Sequence, residues 1–288
     1  MLWEYLTSEE FPEAVKRSKG ICLVPIGCVE THGNHIVLGC DTLDTGHSCQ
    51  LVAEAENVVV FPKMYFGEKS GAGEYPGTII FPNRLIHRIL RETCYEIARN
   101  GFTKIVIVNG HGGNIAMIDH VCRQFLQEKP DFMVFRSRPG MGDPKFVVEN
   151  PELFPYLTES DWAVLQEYVA AGKRDGHGGF QETGMVYAGN PDWVRLENFG
   201  SLDGESNHKF DGFTNRGLYT PFGWMGNQPN SLHCNFQEGL NQRIAQSMLD
   251  HYKIKLTKTI RLLKEETLTW EKYTDFCNAP IYHGEEDA

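Results

Sequence analysis

Apolar positions along the chain fall into two kinds of pattern. Short unbroken runs read as buried strands: ICLVPIG at 21–27, closed by Gly27, and KIVIVN at 104–109, β-branched and ended by Gly110. Weaker runs at 58–61 and 132–135 predict two further strands. Between these lie segments of helical spacing at 44–56, 83–100 and 114–127, and a closing helix is expected within 238–265. In 83–100 the expected apolar face comprises Leu85, Ile89, Tyr95, Ile97 and Ala98, with Gly101 placed to end the helix. Alternation of strands and helices predicts an α/β fold in three layers, a mostly parallel central sheet with helices on both faces. Residues 62–82, with Gly67, Gly71, Gly73 and Gly77 and no helical period, predict a long loop. Residues 198–237 form a second irregular region, rich in Gly, Asn and aromatics such as Phe210, Tyr219 and Trp224. Aromatic content favours a folded lid or partner surface over disorder there. No repeat, low-complexity segment or linker divides the chain, so residues 1–288 are expected to form one domain.

Composition narrows the function classes. Lys and Arg total 27 against 38 Asp and Glu, a net charge of −11 without a basic block. Phosphate-backbone binding needs clustered cations, so no nucleic-acid partner is expected. The longest apolar stretch, 21–29, falls far short of the roughly 20 residues a membrane helix requires, so no membrane partner is expected. The first twenty residues lack the apolar core of a secretion signal. Eight cysteines at low density form no C-x-x-C pair. Reduced thiols and a cytoplasmic location follow as expectations.

Chemistry-bearing residues gather in three places. Glu30-Thr31-His32-Gly33-Asn34-His35 follows the first strand run, with Asp41 eleven residues past Glu30. Residues two apart in extended chain point to one side, so Glu30 and His32 can converge. A carboxylate beside an imidazole suits Zn²⁺, Mn²⁺ or Fe²⁺. Alone, Glu-x-His is more often a hydrogen-bonded polar loop. Asn109-Gly110-His111-Gly112-Gly113-Asn114 lies where the best strand ends and a helix begins, the usual ligand position of open α/β sheets. His111 would project from that turn, and Asn114 is placed to cap the helix. The same pattern also describes a glycine-rich tight turn with an incidental histidine. The third cluster, Asp175-Gly176-His177-Gly178-Gly179-Phe180-Gln181-Glu182, sets His177 and Glu182 about a bend leading into a short helix. His87, His120, His251 and His47 read as helix residues with packing or surface roles. His35 reads as a group supporting the site, and His208 and His233 could reach a site from the aromatic region. Cys28 and Cys40 read as packed thiols, since nothing near them in sequence would stabilise a thiolate.

Together the three clusters resemble the creatininase (creatinine amidohydrolase) family over nearly the whole chain. The resemblance rests on Pro25-Ile26-Gly27 with Glu30, His32, His35 and Asp41, and on Tyr75-Pro76-Gly77-Thr78. It rests equally on N-G-H-G-G-N at 109–114, on His177-Gly178-Gly179 with Glu182-Thr183, and on the segment 223–229 with Glu238-Gly239. It implies a three-layer α/β/α fold, commonly assembled as hexamers, with two divalent metal ions per chain. By position it implies Glu30, His32, Asp41, His111 and Glu182 as metal ligands, Asp41 bridging, and His177 as the catalytic histidine. Creatininase has an aromatic residue and a glutamate after the N-G-H histidine, where this chain has Gly112 and Gly113. Its tryptophan before the catalytic histidine has no match in Lys173-Arg174-Asp175. Both departures argue against creatinine as the substrate.

The function so implied is metal-assisted hydrolysis of a small-molecule substrate, with a two-metal-activated water attacking the carbonyl of a cyclic amide. The metals would be Zn²⁺ or Mn²⁺, with Fe²⁺ equally able to use this donor set. Hydrolysis of a formamide, or ring opening of a keto-cyclitol, would use the same site. A non-catalytic small-molecule binding protein is the reading from another class, and it predicts that some of the ligands have been lost.

Overall fold

The runs at 21–26 and 104–109 become the two inner strands of a parallel sheet. β1 (Ile21–Ile26) pairs with β2 (Val59–Val60) on one side. On the other side it pairs with β3 (Lys104–Asn109), in register from Ile21 opposite Lys104 to Ile26 opposite Asn109. β4 (Met133–Arg136) adds to the far edge of β3, giving the order β2-β1-β3-β4 with every pair parallel. The computed structural model describes residues 1–69, 71–137, 141–172, 176–199, 206–219, 226–227 and 238–266.

Strand side chains alternate between faces, and each face meets its own helical layer. Ile21, Leu23, Val106 and Val108 pack into a core with α2 (Cys40–Glu56), α5 (Pro144–Glu149), α6 (Glu159–Ala171), α7 (Phe180–Gly189) and α9 (Gln242–Glu265). Cys22, Val24, Ile26, Ile105 and Ile107 pack against α1 (Phe11–Arg17), α3 (Asn83–Arg99) and α4 (Asn114–Glu128). This is the three-layer α/β/α arrangement that the alternation predicted, and burial on both faces explains why the strands read as continuous apolar runs.

Three expectations need correction. The buried face of α3 is Ile86, Leu90, Cys94 and Ile97, while Leu85 and Ile89 are 43% and 38% exposed. Spacing from Ile97 backwards in steps of three and four selects the true stripe, whereas Leu85 and Ile89 lie one position off it. α2 begins at Cys40, four residues before the expected start, so Asp41 stands in its first turn. Asn114 caps no helix; it is the first residue of α4, and its side chain bonds elsewhere, as described below.

The described residues of 62–82 hold no helix and no named strand, as their glycines suggested. Of 198–237, only 198–199, 206–219 and 226–227 are described, including a one-turn α8 (Asp211–Thr214). Of the aromatics expected to form a lid, Phe210, Phe213 and Tyr219 are described, Phe213 and Tyr219 exposed, whereas Phe222, Trp224 and Phe236 and most of the 223–229 motif lie outside the described residues. Among the described residues, no helix is long and apolar enough to cross a membrane, and the six cysteines are free.

Candidate metal centre

β1 and β3 run side by side, so the loops at their carboxyl ends open onto one crevice, the usual ligand position of an open parallel sheet. The segment leaving β1 delivers Glu30 and His32, both fully buried. The first turn of α2 presents Asp41, the turn between β3 and α4 presents His111, and the approach to α7 supplies His177 and Glu182. The side chain of Asn114 ties these segments together. Its amide donates to the Gly27 carbonyl (3.3 Å) and to Asn109 Oδ1 (3.2 Å), and its Oδ1 accepts from the Glu68 amide at 2.6 Å. Gly67 completes the junction: a Cβ there would stand 2.1 Å from the Gly27 carbonyl oxygen, so no larger residue fits.

Six side chains from the three sequence clusters converge. Asp41 is central: its Oδ1 lies 3.1 Å from His32 Nε2 and its Oδ2 lies 2.8 Å from His111 Nδ1. Glu30 Oε1 lies 3.0 Å from His111 Nδ1 and 3.9 Å from both His32 Nε2 and His177 Nδ1. Glu182 Oε1 is 3.6 Å from His32 Nε2, while its Oε2 accepts from the Gly178 amide at 2.6 Å. His177 stacks on His32, the ring centroids 4.0 Å apart.

Backbone acceptors fix the imidazole tautomers. His32 Nδ1 lies 3.2 Å from the Glu30 carbonyl, which can only accept, so Nδ1 carries a proton and Nε2 is turned toward Asp41 and the cluster. By the same reasoning His177 donates from Nε2 to the Thr31 carbonyl (2.6 Å) and turns Nδ1 toward Glu30. His111 is oriented through its backbone, Asn109 accepting from its amide and donating to its carbonyl.

Charge in this pocket is concentrated and poorly solvated. Burial alone would push the carboxyl of Glu30 up, but contact with His111 and the fields of His177 and His32 hold it well below the usual range. Asp41 is likewise held well below it, His32 and His111 outweighing burial. Burial opposes protonation of His111, yet Asp41 and Glu30 raise it to about 9. Burial and the neighbouring His32 instead lower His177 to about 4. The thiols of Cys28 and Cys40 are pushed up, chiefly by burial, and donate to Asp41 Oδ2 and Oδ1 at 3.2 and 3.4 Å. They are packed thiols, as read from sequence.

Donor atoms lie within mutual reach in three overlapping groups: Cys28, Glu30, Asp41 and His111; Glu30, His32 and His177; and His32, Cys40 and Asp41. Asp41 links the first to the third. His177 therefore stands within ligand reach as well as beside it. His35, fully buried, bonds the Gly178 carbonyl (2.8 Å) and Thr183 Oγ1 (3.1 Å), and so holds the turn carrying His177.

Of the other histidines, His87 and His120 face each other across α3 and α4, and His251 stacks on Phe146. His208 is an exposed partner of Asp211, and His233 and His283 lie outside the described residues. Sequence reasoning missed Lys69, whose buried ammonium lies against Glu30 Oε2. Its signal in the sequence is weak, a lysine among the glycines of the 62–82 loop.

Residues 4–238 match the creatininase (creatinine amidohydrolase) family. The chain belongs to the creatininase family. A creatinine amidohydrolase of Pseudomonas putida is 29% identical over 201 residues, covering 67% of this chain and 73% of that protein. A mycofactocin precursor peptide peptidase of Mycolicibacterium smegmatis is 33% identical over 100 residues, 32% of this chain and 40% of the relative. Solved structures of creatininase, among them forms described as creatininase Mn and as a Zn-Zn type mutant, superpose with TM-scores of 0.65–0.68 at 22–23% identity. They cover 92% of this chain and 98–99% of their own. At that identity the likeness establishes the fold.

Proposed function

We propose that this creatininase-family chain is a divalent-metal-dependent hydrolase that opens an amide or related carbonyl bond in a small molecule. One observation carries the reading: the two oxygens of buried Asp41 face different imidazoles, with Glu30 beside one and Glu182 near the other. Glu30, His32, Asp41, His111 and Glu182 would hold two ions, Asp41 serving both. The donor set fits. Glu30 Oε1 and His32 Nε2 are buried and complete no hydrogen bond although other donor atoms surround them. Protons on His111 now answer the charge of Glu30 and Asp41, and cation binding would displace them. Carboxylates and imidazoles accept Zn²⁺, Mn²⁺ and Fe²⁺ alike. The solved Mn and Zn-Zn creatininases favour the first two.

Bound there, divalent ions supply a water of lowered pKa and polarise the carbonyl under attack. The chain's own residues do the rest. The Glu30 carbonyl holds the His32 ring through Nδ1, and Asn109 fixes the backbone of the turn that carries His111. His177 keeps its proton on Nε2 against Thr31, which leaves Nδ1 to take a proton from the attacking water. Nδ1 then returns that proton to the leaving atom, the nitrogen in a cyclic amide. Burial of Glu30, His32 and Asp41 excludes bulk water from the reacting centre.

The names of both relatives, an amidohydrolase and a peptide peptidase, favour C–N cleavage. Creatinine itself is disfavoured: Gly112 opens onto free space where creatininase carries an aromatic side chain, and a Cβ at Gly113 would stand 2.5 Å from His111 Nε2. The same reading makes residues 1–288 one domain, cytoplasmic and assembled as a homo-oligomer, a hexamer by family likeness; sedimentation velocity tests the assembly.

Metal content of protein purified without added metal or chelator, measured by plasma mass spectrometry, tests the proposal. A value near two divalent ions per chain is expected, and cyclic amides, formamides, keto-cyclitols and peptides then form the substrate panel. Essentially no metal, even after Zn²⁺ or Mn²⁺ is supplied, would overturn the hydrolase mechanism in favour of a binding protein.

A further inference from the structure

Glu30 divides its two oxygens between different neighbours. Every imidazole contact is made by Oε1: His111 Nδ1 at 3.0 Å, His32 Nε2 and His177 Nδ1 each at 3.9 Å. Oε2 faces the ammonium of Lys69 instead. Lys69 is no wandering surface chain. It is 6% exposed, and the loop bearing it is strapped over the centre on both sides. Upstream, Gly67 packs on Gly27 and the Glu68 amide bonds Asn114. Downstream, Thr78 Oγ1 accepts from the Thr31 amide at 3.3 Å, and the Ile79 amide donates to the Val29 carbonyl at 3.0 Å.

We infer that Lys69 is a positioning residue that confines Glu30 to one-oxygen ligation and so biases the centre toward an ion of low coordination number. The inference rests on the metal reading above. A carboxylate can meet an ion with one oxygen or two. An oxygen already engaged by an ammonium is a poor second donor, and outer partners of this kind orient and tune metal ligands. Zn²⁺ is satisfied by about four ligands, whereas Mn²⁺ suits larger, oxygen-rich shells. Withholding Oε2 therefore costs Mn²⁺ more than Zn²⁺. The ammonium's repulsion acts on both divalent ions alike, so the ratio of their affinities isolates the effect on ligation.

The test is competition of chelator-stripped protein with a chromophoric chelator, run separately for Zn²⁺ and Mn²⁺. Lys69→Met is expected to shift the ratio of dissociation constants about tenfold in favour of Mn²⁺, the low end of outer-partner effects. Lys69→Arg keeps a cation on Oε2 and is expected to retain the wild-type ratio. Thermal unfolding checks that each variant folds, and Lys69→Gln replaces the methionine variant if it does not. A ratio in the neutral variant within twofold of wild type, or the same shift in the arginine variant, overturns the inference while leaving the metal reading intact. Wild-type protein that binds neither ion overturns both.

Discussion

Each carboxylate oxygen of Asp41 receives a thiol donor and faces a different imidazole, so this side chain joins the His32 and His111 sides of the centre. Asp41→Asn keeps its volume and removes the charge both ions would share, and metal content should fall from two per chain toward none. His177→Ala should behave differently. It removes the Nδ1 that relays the proton while leaving the five proposed ligands, so metal content should persist and turnover fall by about 10²–10⁴. Metal lost with turnover barely changed would exchange the two roles, a real alternative because His177 lies within ligand reach of Glu30 and His32. The clusters were legible because His32, His111 and His177 each adjoin glycine in the chain, and Glu30 follows the first strand run closely. Lys69 was not, since its meaning comes only from where the 62–82 loop folds over Glu30. Asn114 was half legible: its place at the head of α4 suggested a cap, but Gly27 and Glu68 approach closely enough to claim its side chain.

At the level of elements, the junction of α6 with α9 shows a charge whose stabilising role has a definite pH sign. Asp161 completes a capping box with Thr158 at the head of α6 and accepts from Asn241 and Arg243 at the head of α9. Burial pushes its carboxyl up, but Arg243 and the Thr158 bonds outweigh that and hold it well below the usual carboxylate range. A depressed folded value means the contribution is complete above the unfolded pKa of about 3.9 and is lost as pH falls through the folded value. Asp161→Asn should therefore cost about 1–3 kcal/mol at pH 7, toward the low end because Arg243 is half exposed and solvent screens it. Urea unfolding at pH 7 and pH 3 should show the gap between variant and wild type narrowing at the lower pH. An unchanged gap would mean the charge of Asp161 contributes nothing and only its hydrogen bonds matter. Neither Asp161 nor its partners stood out in the sequence, because 80 residues separate Asp161 from Asn241. The register of α3 failed for a related reason: Leu85 and Ile89 are as apolar as the residues that are buried, and only the position of the sheet decides between two adjacent stripes.

Across the whole molecule, the fold class was readable because two strongly apolar strand runs must be buried on both faces, which leaves helices above and below as the workable arrangement. The same geometry makes the centre a tie between the layers. Glu30 and His32 leave a central strand, and Asp41 and Glu182 stand on α2 and α7 in one layer. His111 precedes α4 in the other layer. Ions held by all of these would bind the folded chain and not the unfolded one, where the donors are scattered between residues 30 and 182. Binding to the folded state alone stabilises by RT ln(1 + [L]/Kd), about 2.7 kcal/mol for one site at a hundredfold excess over Kd. For a chain of this size that corresponds to a rise in Tm of about 5 °C. Adding Zn²⁺ or Mn²⁺ to chelator-stripped protein should raise Tm by this order, and the rise should vanish in Asp41→Asn. Because the ligands span both helical layers, protection from amide exchange should increase in α2 and α4 together. An increase confined to one layer would show that the two halves of the centre fill independently, and Asp41 would then not be the bridge.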